Sequence, residues 1–199
     1  MIHACTMTST SSQYRIIAVC TGNICRSPMA ELMLAEAIAA AGLAGAVVDS
    51  AGTTAYEVGR PIDPRAARKL TAHSIPSDRH VAREWRAEWF QARDLILALD
   101  VDHFGWLQQA APDGESLSKI RMLRSFDPAV ADRDPLDQGI EDPWYGGRAD
   151  FDVTWNLIHA ALPGIVAHVR SELARRPRPD GRHPGSDQPN AQQPVRSIS

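Results

Sequence analysis

Short apolar runs and amphipathic segments alternate along the middle of the chain, at the lengths of strands and helices. The run "RIIAVC" is rich in β-branched residues and ends at Cys20, and "AVVDSAGT" at residues 46–53 has the same character. In "DLILALD", residues 95–99 contain no polar side chain, which is typical of a strand buried on both faces. The segment "KIRMLRSF" predicts one more strand, so four strands are expected.

The segments between these runs have the apolar spacing of helices. Residues 27–42 begin with Ser27 as a helix cap, continue with Pro28 at the first helical position and close on Gly42. Residues 63–73 and 81–92 predict two further helices. Residues 148–174 are also helical in pattern, and Pro163 is expected to kink or divide that helix.

Strands that alternate with helices predict an α/β fold, a small doubly wound parallel four-stranded sheet with helices on both faces. Residues 1–13 are rich in Ser and Thr, and the last 25 residues are rich in Pro, Gly, Gln and Ser, with almost nothing apolar to bury. We therefore expect a flexible tail at residues 1–13, one domain at residues 14–174 and a disordered tail at residues 175–199.

Composition and charge narrow the class of protein. With 199 residues, of which 44% are hydrophobic and 23% charged, the chain can bury a sizeable core. The net charge of −3 gives no general attraction to nucleic acid or to an anionic membrane. Three cysteines suit neither a disulfide framework nor a zinc site, so no metal and no cofactor are expected. The first residues lack a signal peptide pattern, which favours a cytoplasmic protein.

The stretch "VCTGNICRSPMAE" at residues 19–31 carries the candidate chemistry. It joins the end of a strand to the start of a helix, where open α/β sheets bind anions through free N–H groups and the helix dipole. Gly22 and Asn23 tolerate positive φ, and Arg26 offers a planar fork for two phosphate oxygens. The same positive field would stabilise a thiolate at Cys20. By itself Cys20 is an ordinary small apolar residue, but the whole constellation favours a phosphate site. Its predicted phosphate-binding residues are Thr21, Gly22, Asn23, Ile24, Cys25 and Arg26.

At these residues the chain resembles the low-molecular-weight protein tyrosine phosphatases of bacterial type, whose signature is C-x5-R-S/T. The likeness continues at "SAGT" (residues 50–53), at "SDRHVAREW" around His80, at "DLILALD", and at "DPWYG" (residues 142–146), which is similar to the family's Asp-Pro-Tyr-Tyr-Gly loop. The resemblance covers residues 15–174. It implies a flavodoxin-like fold with the phosphate loop after the first strand, and makes export without a signal peptide conceivable.

The resemblance also implies a role for each residue. Cys20 would attack phosphorus and become a phosphocysteine, Arg26 would hold the phosphoryl oxygens, and Asp142 would be the general acid and base. Asp142 lies 122 residues after Cys20, so only folding can bring them together. Ser27 would cap the helix and donate to the Cys20 sulfur. The supporting residues are Asn23 and His80, and Cys25 would trap oxidised Cys20 as a disulfide.

Substrate and partners follow from the same resemblance. Ile24 stands where the family's arginine phosphatases have Thr, which favours phosphotyrosine. Tyr56, Trp144 and Tyr145 would wall a cleft for the aromatic ring. Trp144 replaces the usual tyrosine, while Tyr145 remains available for phosphorylation. The expected partners are a phosphotyrosine protein, small aryl phosphates in vitro, and inorganic phosphate as product and inhibitor, with the protein a monomer.

Two other functions fit parts of the sequence. Arsenate reductases share this fold and nucleophile loop, but the thioredoxin-coupled ones need relay cysteines, and none follows Cys25. A thiol-dependent reductase remains an alternative. A phosphotyrosine-binding module without turnover predicts a damaged Cys, Arg or Asp, whereas Cys20, Arg26 and Asp142 are all present.

Overall fold

Four parallel strands form the centre of the computed structural model, which describes residues 13–176. The strand order is β2-β1-β3-β4, so the first strand is internal and the chain reverses its direction of winding beside it. The register pairs Cys20 with Gly52 and Val19 with Ala98, so the carboxyl ends of three strands meet at one edge. The strands are β1 (Tyr14–Cys20), β2 (Ala46–Gly52), β3 (Leu95–Ala98) and β4 (Ile120–Met122).

Within residues 13–176, six helices surround this sheet. They are α1 (Arg26–Ala40), α2 (Pro64–Ala72), α3 (Trp89–Ala92), α4 (Val101–Ala110), α5 (Gly114–Ser118) and α6 (Arg148–Arg175). Three short 3-10 turns follow β4, at Leu123–Phe126, Pro135–Gln138 and Pro143–Tyr145. The predicted tails at residues 1–13 and 175–199 lie almost wholly outside the described residues. Within residues 13–176, no helix is long and apolar enough to cross a bilayer.

Alternate residues of the strands enter two separate cores. Ile16 of β1 and Leu97 of β3 pack on the side of α1, α2 and α6, whereas Ile17 and Ile96 pack on the side of α4. Successive side chains of a strand point to opposite faces, so both faces must be covered. The predicted doubly wound α/β sheet with helices on both faces is confirmed.

The helix predicted over residues 81–92 is wrong except at its end, where α3 spans four residues. The preceding residues run in an extended path beside the end of β2. The Gly52 N–H donates to the Arg83 carbonyl at 2.8 Å, and the Trp85 N–H donates to the Gly52 carbonyl at 2.7 Å. This pairing satisfies the backbone without a helix, so tertiary contacts override the local pattern.

Two further details of the predicted helices are corrected. Helix α1 begins at Arg26, and its cap residue Cys25 makes no capping side-chain hydrogen bond within residues 13–176, so Ser27 is not the cap. The Ser27 hydroxyl instead faces Cys20 and Asn23, in the loop of residues 20–26 that is predicted to hold the nucleophile and is called the nucleophile loop below. Pro163 does not divide α6, which is one helix of 28 residues. Its neighbours Leu162 and Ile165 are buried in the core, and this packing outweighs the hydrogen bond that proline cannot make.

Candidate active site

The loop between β1 and α1 places the predicted nucleophile at its start. Cys20 is the last residue of β1, and its Sγ lies 3.0 Å from the Ser27 hydroxyl. Residues between them turn sharply, and the backbone reaches a φ of +58° at Asn23. Asparagine tolerates this left-handed conformation better than most residues, whereas Gly22 is not among the residues with positive φ. The predicted loop is therefore present, with its bend at Asn23.

Arg26 is buried at the floor of the loop and joins distant parts of the chain. Its Nη1 donates to Asp100 Oδ2 at 2.6 Å and to the Ile140 carbonyl at 3.0 Å. Its Nη2 donates to Asp142 Oδ2 at 2.7 Å. Its Nε is also buried and has no hydrogen-bond partner among the described residues. A buried donor of this kind is costly unless an acceptor reaches it, which suits a bound anion.

The structure brings Asp142 to the nucleophile loop, 122 residues away in sequence. It lies just before the 3-10 turn Pro143–Tyr145, and its Oδ1 accepts from the Trp144 N–H at 3.1 Å. The second carboxylate oxygen contacts Arg26. With its side chain 31% exposed, Asp142 stays open to solvent. It can therefore exchange a proton with a group bound in the loop.

Two further residues, Asp100 and His103, contact Arg26 and the loop. The sequence pattern did not single out either of them. His103 is buried, its Nδ1 lies 2.8 Å from Asp100 Oδ1, and its Nε2 lies 2.9 Å from the Thr21 hydroxyl. Burial would raise the pKa of Asp100, but the hydrogen bonds from His103 and the charges of His103 and Arg26 lower it to about 2. Asp100 therefore holds Arg26 as a carboxylate.

Asn23 lies at the centre of a buried network that braces the loop. Its Nδ2 donates to the hydroxyls of Ser27 at 2.9 Å and Ser50 at 2.8 Å, and its Oδ1 accepts from the Arg83 N–H. His80 Nε2 lies 2.7 Å from the Asn23 carbonyl oxygen. Burial lowers the pKa of His80, against the effect of that hydrogen bond. The structure thus places both predicted supporting residues against the loop.

Gly52 allows the nucleophile loop to lie directly against β2. A Cβ at this position would meet the Thr21 carbonyl oxygen at 2.6 Å and Gly22 C at 3.1 Å. These are backbone atoms, so the loop itself would have to shift. The "SAGT" stretch therefore contains a residue that positions the loop, a role that appears only once β1 and β2 are paired.

We predict that Gly52→Ala displaces the loop and lowers kcat/KM by about 10²-fold, the scale of a misplacement near 1 Å. It should also destabilise the fold by about 1–3 kcal/mol through overpacking. Gly105→Ala is the matched control, because a Cβ there meets nothing within 4 Å. Steady-state kinetics and urea unfolding measure both effects. Wild-type kinetics in Gly52→Ala would contradict the positioning role.

A cleft of about 140 Å³ opens over the loop. It is lined by the loop residues from Cys20 to Arg26 except Asn23, and by the predicted aromatic residues Tyr56, Trp144 and Tyr145, together with Asp142, Thr54 and Glu57. Tyr56 and Tyr145 are highly exposed, at 87% and 90%, and Trp144 is partly covered. Sequence reasoning missed Thr54 and Glu57, because they lie in an irregular loop after β2.

The second thiol of the loop, Cys25, lies near the carboxylate of Asp63. Cys25 is buried, and burial raises the pKa of its thiol, which the negative charge of Asp63 raises further. Cys25 thus stays a neutral thiol. A thiol is a much weaker nucleophile than a thiolate, so Cys25 does not fit the attacking role.

Comparison with known proteins identifies the family. Residues 15–175 match the model of the low molecular weight phosphotyrosine protein phosphatases. A low molecular weight protein-tyrosine-phosphatase of Streptomyces coelicolor is 44% identical over 164 residues, covering 82% of this chain and 98% of the relative.

Solved structures agree with this match. A protein tyrosine phosphatase of Entamoeba histolytica superposes with a TM-score of 0.73 at 26% identity, covering 80% of this chain and 99% of that one. The Drosophila arginine phosphatase gives a TM-score of 0.70 at 29% identity, covering 79% and 98%. With the family model spanning residues 15–175, nearly all of the described residues, the chain belongs to the low molecular weight phosphotyrosine protein phosphatase family.

Proposed function

We propose that this enzyme hydrolyses phosphotyrosine in proteins through a phosphocysteine formed on Cys20. One observation carries the proposal: Cys20, Arg26 and Asp142 line the same cleft, although they come from separate parts of the chain. A nucleophile, a fork for phosphoryl oxygens and a proton donor are what the transfer of a phosphoryl group requires.

The first step transfers the phosphoryl group to sulfur. The Cys20 thiolate attacks phosphorus, an S–P bond forms, and the P–O bond to the tyrosine ring breaks. Asp142 gives its proton to the departing phenolate oxygen. Water then attacks the phosphocysteine while Asp142 takes a proton from it, which releases inorganic phosphate and restores the thiolate. The Ser27 hydroxyl, 3.0 Å from Sγ, stabilises the negative charge on sulfur before the attack on phosphorus and again when the S–P bond breaks.

Substrate binding is coupled to Asp142 through Arg26. In the free site, the guanidinium holds Asp100 on one nitrogen and Asp142 on the other. A phosphate dianion carries more negative charge than a carboxylate and competes for the Arg26 guanidinium. It replaces Asp142 and not Asp100, because the Asp142 side chain is the more exposed of these two carboxylates. Asp100 remains and keeps the fork aligned. The freed Asp142 is then at the cleft, able to carry the proton that the leaving group needs.

The cleft favours an aromatic phosphoester. Ile24 is a buried residue of the loop that offers an apolar contact, and Tyr56, Trp144 and Tyr145 line the mouth of the cleft. Only a long side chain carries its phosphate to the loop between these rings, which disfavours phosphoserine. The rings and Ile24 also suit an aromatic side chain better than the polar one of phosphoarginine. We therefore infer that phosphotyrosine is preferred over phosphoserine and phosphoarginine.

Release of inorganic phosphate from matched peptides tests this function. The peptides carry phosphotyrosine, phosphoserine or phosphoarginine, and no metal is added. The proposal expects turnover of the phosphotyrosine peptide well above that of the other two. Faster turnover of phosphoarginine would contradict the substrate assignment. If no peptide is turned over and the enzyme reduces arsenate in the presence of thiol, the assignment changes from phosphatase to arsenate reductase.

We predict that Asp142→Ala lowers kcat/KM for a phosphotyrosine peptide by about 10²–10⁴-fold, since the phenolate leaves without a proton. The loss should be much smaller for 2,4-dinitrophenyl phosphate, whose leaving group needs little protonation. Asp134→Ala is the matched control, because Asp134 also caps a 3-10 turn of the same acidic segment but does not line the cleft. An equal loss with both leaving groups would move the acid role elsewhere.

We also propose that Cys25 protects Cys20 from irreversible oxidation. Peroxide converts the Cys20 thiolate to a sulfenic acid, and the Cys25 thiol then forms a disulfide with it and releases water. Both sulfurs line one cleft. We expect the peptide that carries both cysteines to lose two mass units in peroxide-treated enzyme, and activity to recover fully with dithiothreitol. Cys25→Ala should form sulfinic acid and stay inactive. Sulfinic acid at Cys20 in the wild type would refute the protective role.

A further inference from the structure

A second cleft lies next to the active site, between α2 and the first turns of α6. Its volume is about 540 Å³. Its charged lining residues are four cations and one carboxylate, whereas the whole chain has a net charge of −3. They are Arg65, Arg68, Lys69 and Arg148, with Asp152. The cleft is therefore a local positive region on an acidic protein.

Part of this positive charge is not held in an ion pair among residues 13–176. Lys69 is paired with Asp152 at 2.7 Å, and Arg65 with Asp63 at 2.9 Å. Arg68 and Arg148 are both exposed, and neither forms an ion pair or side-chain hydrogen bond with any residue in the range 13–176. The hydrogen bond from Lys69 and the charges of Lys69 and Arg148 lower the pKa of Asp152, so this carboxylate is already engaged. Two guanidinium groups are left for a ligand.

Arg65 and Trp144 form the wall between this cleft and the active-site cleft. Arg65 Nη1 donates to the carbonyl oxygens of Trp144 at 3.2 Å and Gly146 at 2.9 Å. Its guanidinium lies 5.6 Å from the centre of the Trp144 ring, and Trp144 also lines the active-site cleft. A peptide held by its phosphotyrosine can cross this wall within a few residues, since an extended chain advances about 3.3–3.6 Å per residue.

We propose that this basic cleft binds acidic side chains of the substrate, at positions close to the phosphotyrosine. The inference rests on the proposed function, because it assigns a recognition role next to the same catalytic site. Carboxylates fit the charge of the cleft, and binding one relieves the repulsion among its cations. The contact is remote from the reacting phosphorus and equal in ground and transition states, so it acts on KM and leaves kcat unchanged.

Kinetics with paired peptides test this assignment. Two phosphotyrosine peptides differ only in carrying Glu or Gln on both sides of the phosphotyrosine, and para-nitrophenyl phosphate serves as a substrate without flanking residues. The variant is Arg68→Glu with Arg148→Glu. Its control is Arg86→Glu with Arg133→Glu, which changes the net charge equally at exposed arginines outside both clefts.

We expect the cleft variant to raise KM for the Glu peptide by about tenfold, the scale of two exposed ion pairs. The Gln peptide and para-nitrophenyl phosphate should be unaffected, and the difference should shrink in about 1 M salt. An equal change in the control pair would overturn the inference in favour of general charge steering. Wild-type enzyme that treats both peptides alike would also overturn it, while leaving the phosphatase function intact. Absence of turnover on all three substrates would instead refute the proposed function.

Discussion

Replacing Cys20 by serine is expected to lower phosphotyrosine turnover by about 10⁴-fold or more, the scale seen when an enzyme loses its nucleophile. A serine hydroxyl is not ionised at neutral pH, and the positive field of the loop cannot supply the missing nucleophilicity. The loop N–H groups and Arg26 remain, so the variant should still bind phosphate. Phosphate release and equilibrium binding of phosphate measure the two properties separately.

Cys5→Ser is the matched control, because Cys5 precedes the described residues and has no predicted role. It should keep wild-type kinetics. Turnover in Cys20→Ser within about tenfold of wild type would show that another group attacks phosphorus. Loss of phosphate binding together with turnover would show that Cys20 supports the loop instead of reacting.

Arg26→Lys is expected to have the second largest effect, a fall in kcat/KM of about 10³–10⁵-fold. Lysine keeps the positive charge beside Asp100, which limits the cost to the fold. It loses the planar fork that contacts Asp100 and Asp142 on separate nitrogens and leaves Nε for a phosphoryl oxygen. Charge alone therefore cannot replace the geometry that the transition state needs.

Arg93→Lys provides a matched control for this prediction. Arg93 is also nearly buried and paired with a carboxylate, Asp49, but it does not line the active-site cleft. We expect its kcat/KM to stay within about threefold of wild type, while its thermal unfolding reports any structural cost. A similar loss of activity in both variants would assign the effect to general destabilisation.

The sequence predicts those parts of the site that are contiguous in the chain. The apolar run before Cys20, the glycine and asparagine, and the start of α1 together specify a strand, a sharp loop and a helix. Local chemistry is enough for that unit. The predicted strand-loop-helix unit also implies a cleft at the carboxyl edge of a parallel sheet, where the structure has it.

Residues that depend on strand order were harder to predict. Gly52 and Asp100 matter because β2 and β3 flank β1, and no local pattern reports that order. A signal for Asp100 was nevertheless available, since it directly follows a buried strand whose end must lie at the binding edge. His103 could then be identified from Asp100, because the Asp100 side chain caps α4 and His103 lies in the first turn of that helix.

The errors have the same origin. Residues 81–92 have helical spacing, yet Arg83 and Trp85 pair with Gly52 of β2, a partner 31 and 33 residues earlier in sequence. Ser27 has the character of a cap, yet its hydroxyl is taken by the Cys20 sulfur and by Asn23. In both cases the contact that decides the local structure comes from the nucleophile loop and its supports.

Trapping the covalent intermediate tests the central claim most directly. Asp142→Ala slows the hydrolysis of the intermediate because no base activates the water, whereas 2,4-dinitrophenyl phosphate still transfers its phosphoryl group without an acid. Rapid acid quenching of this variant with 2,4-dinitrophenyl phosphate should therefore accumulate the intermediate. Peptide mass spectrometry should then find one phosphoryl group on Cys20, with 2,4-dinitrophenolate released in equal amount. A phosphoryl group on another residue, or product formed with no phosphorylated enzyme at any quench time, would contradict the phosphocysteine mechanism.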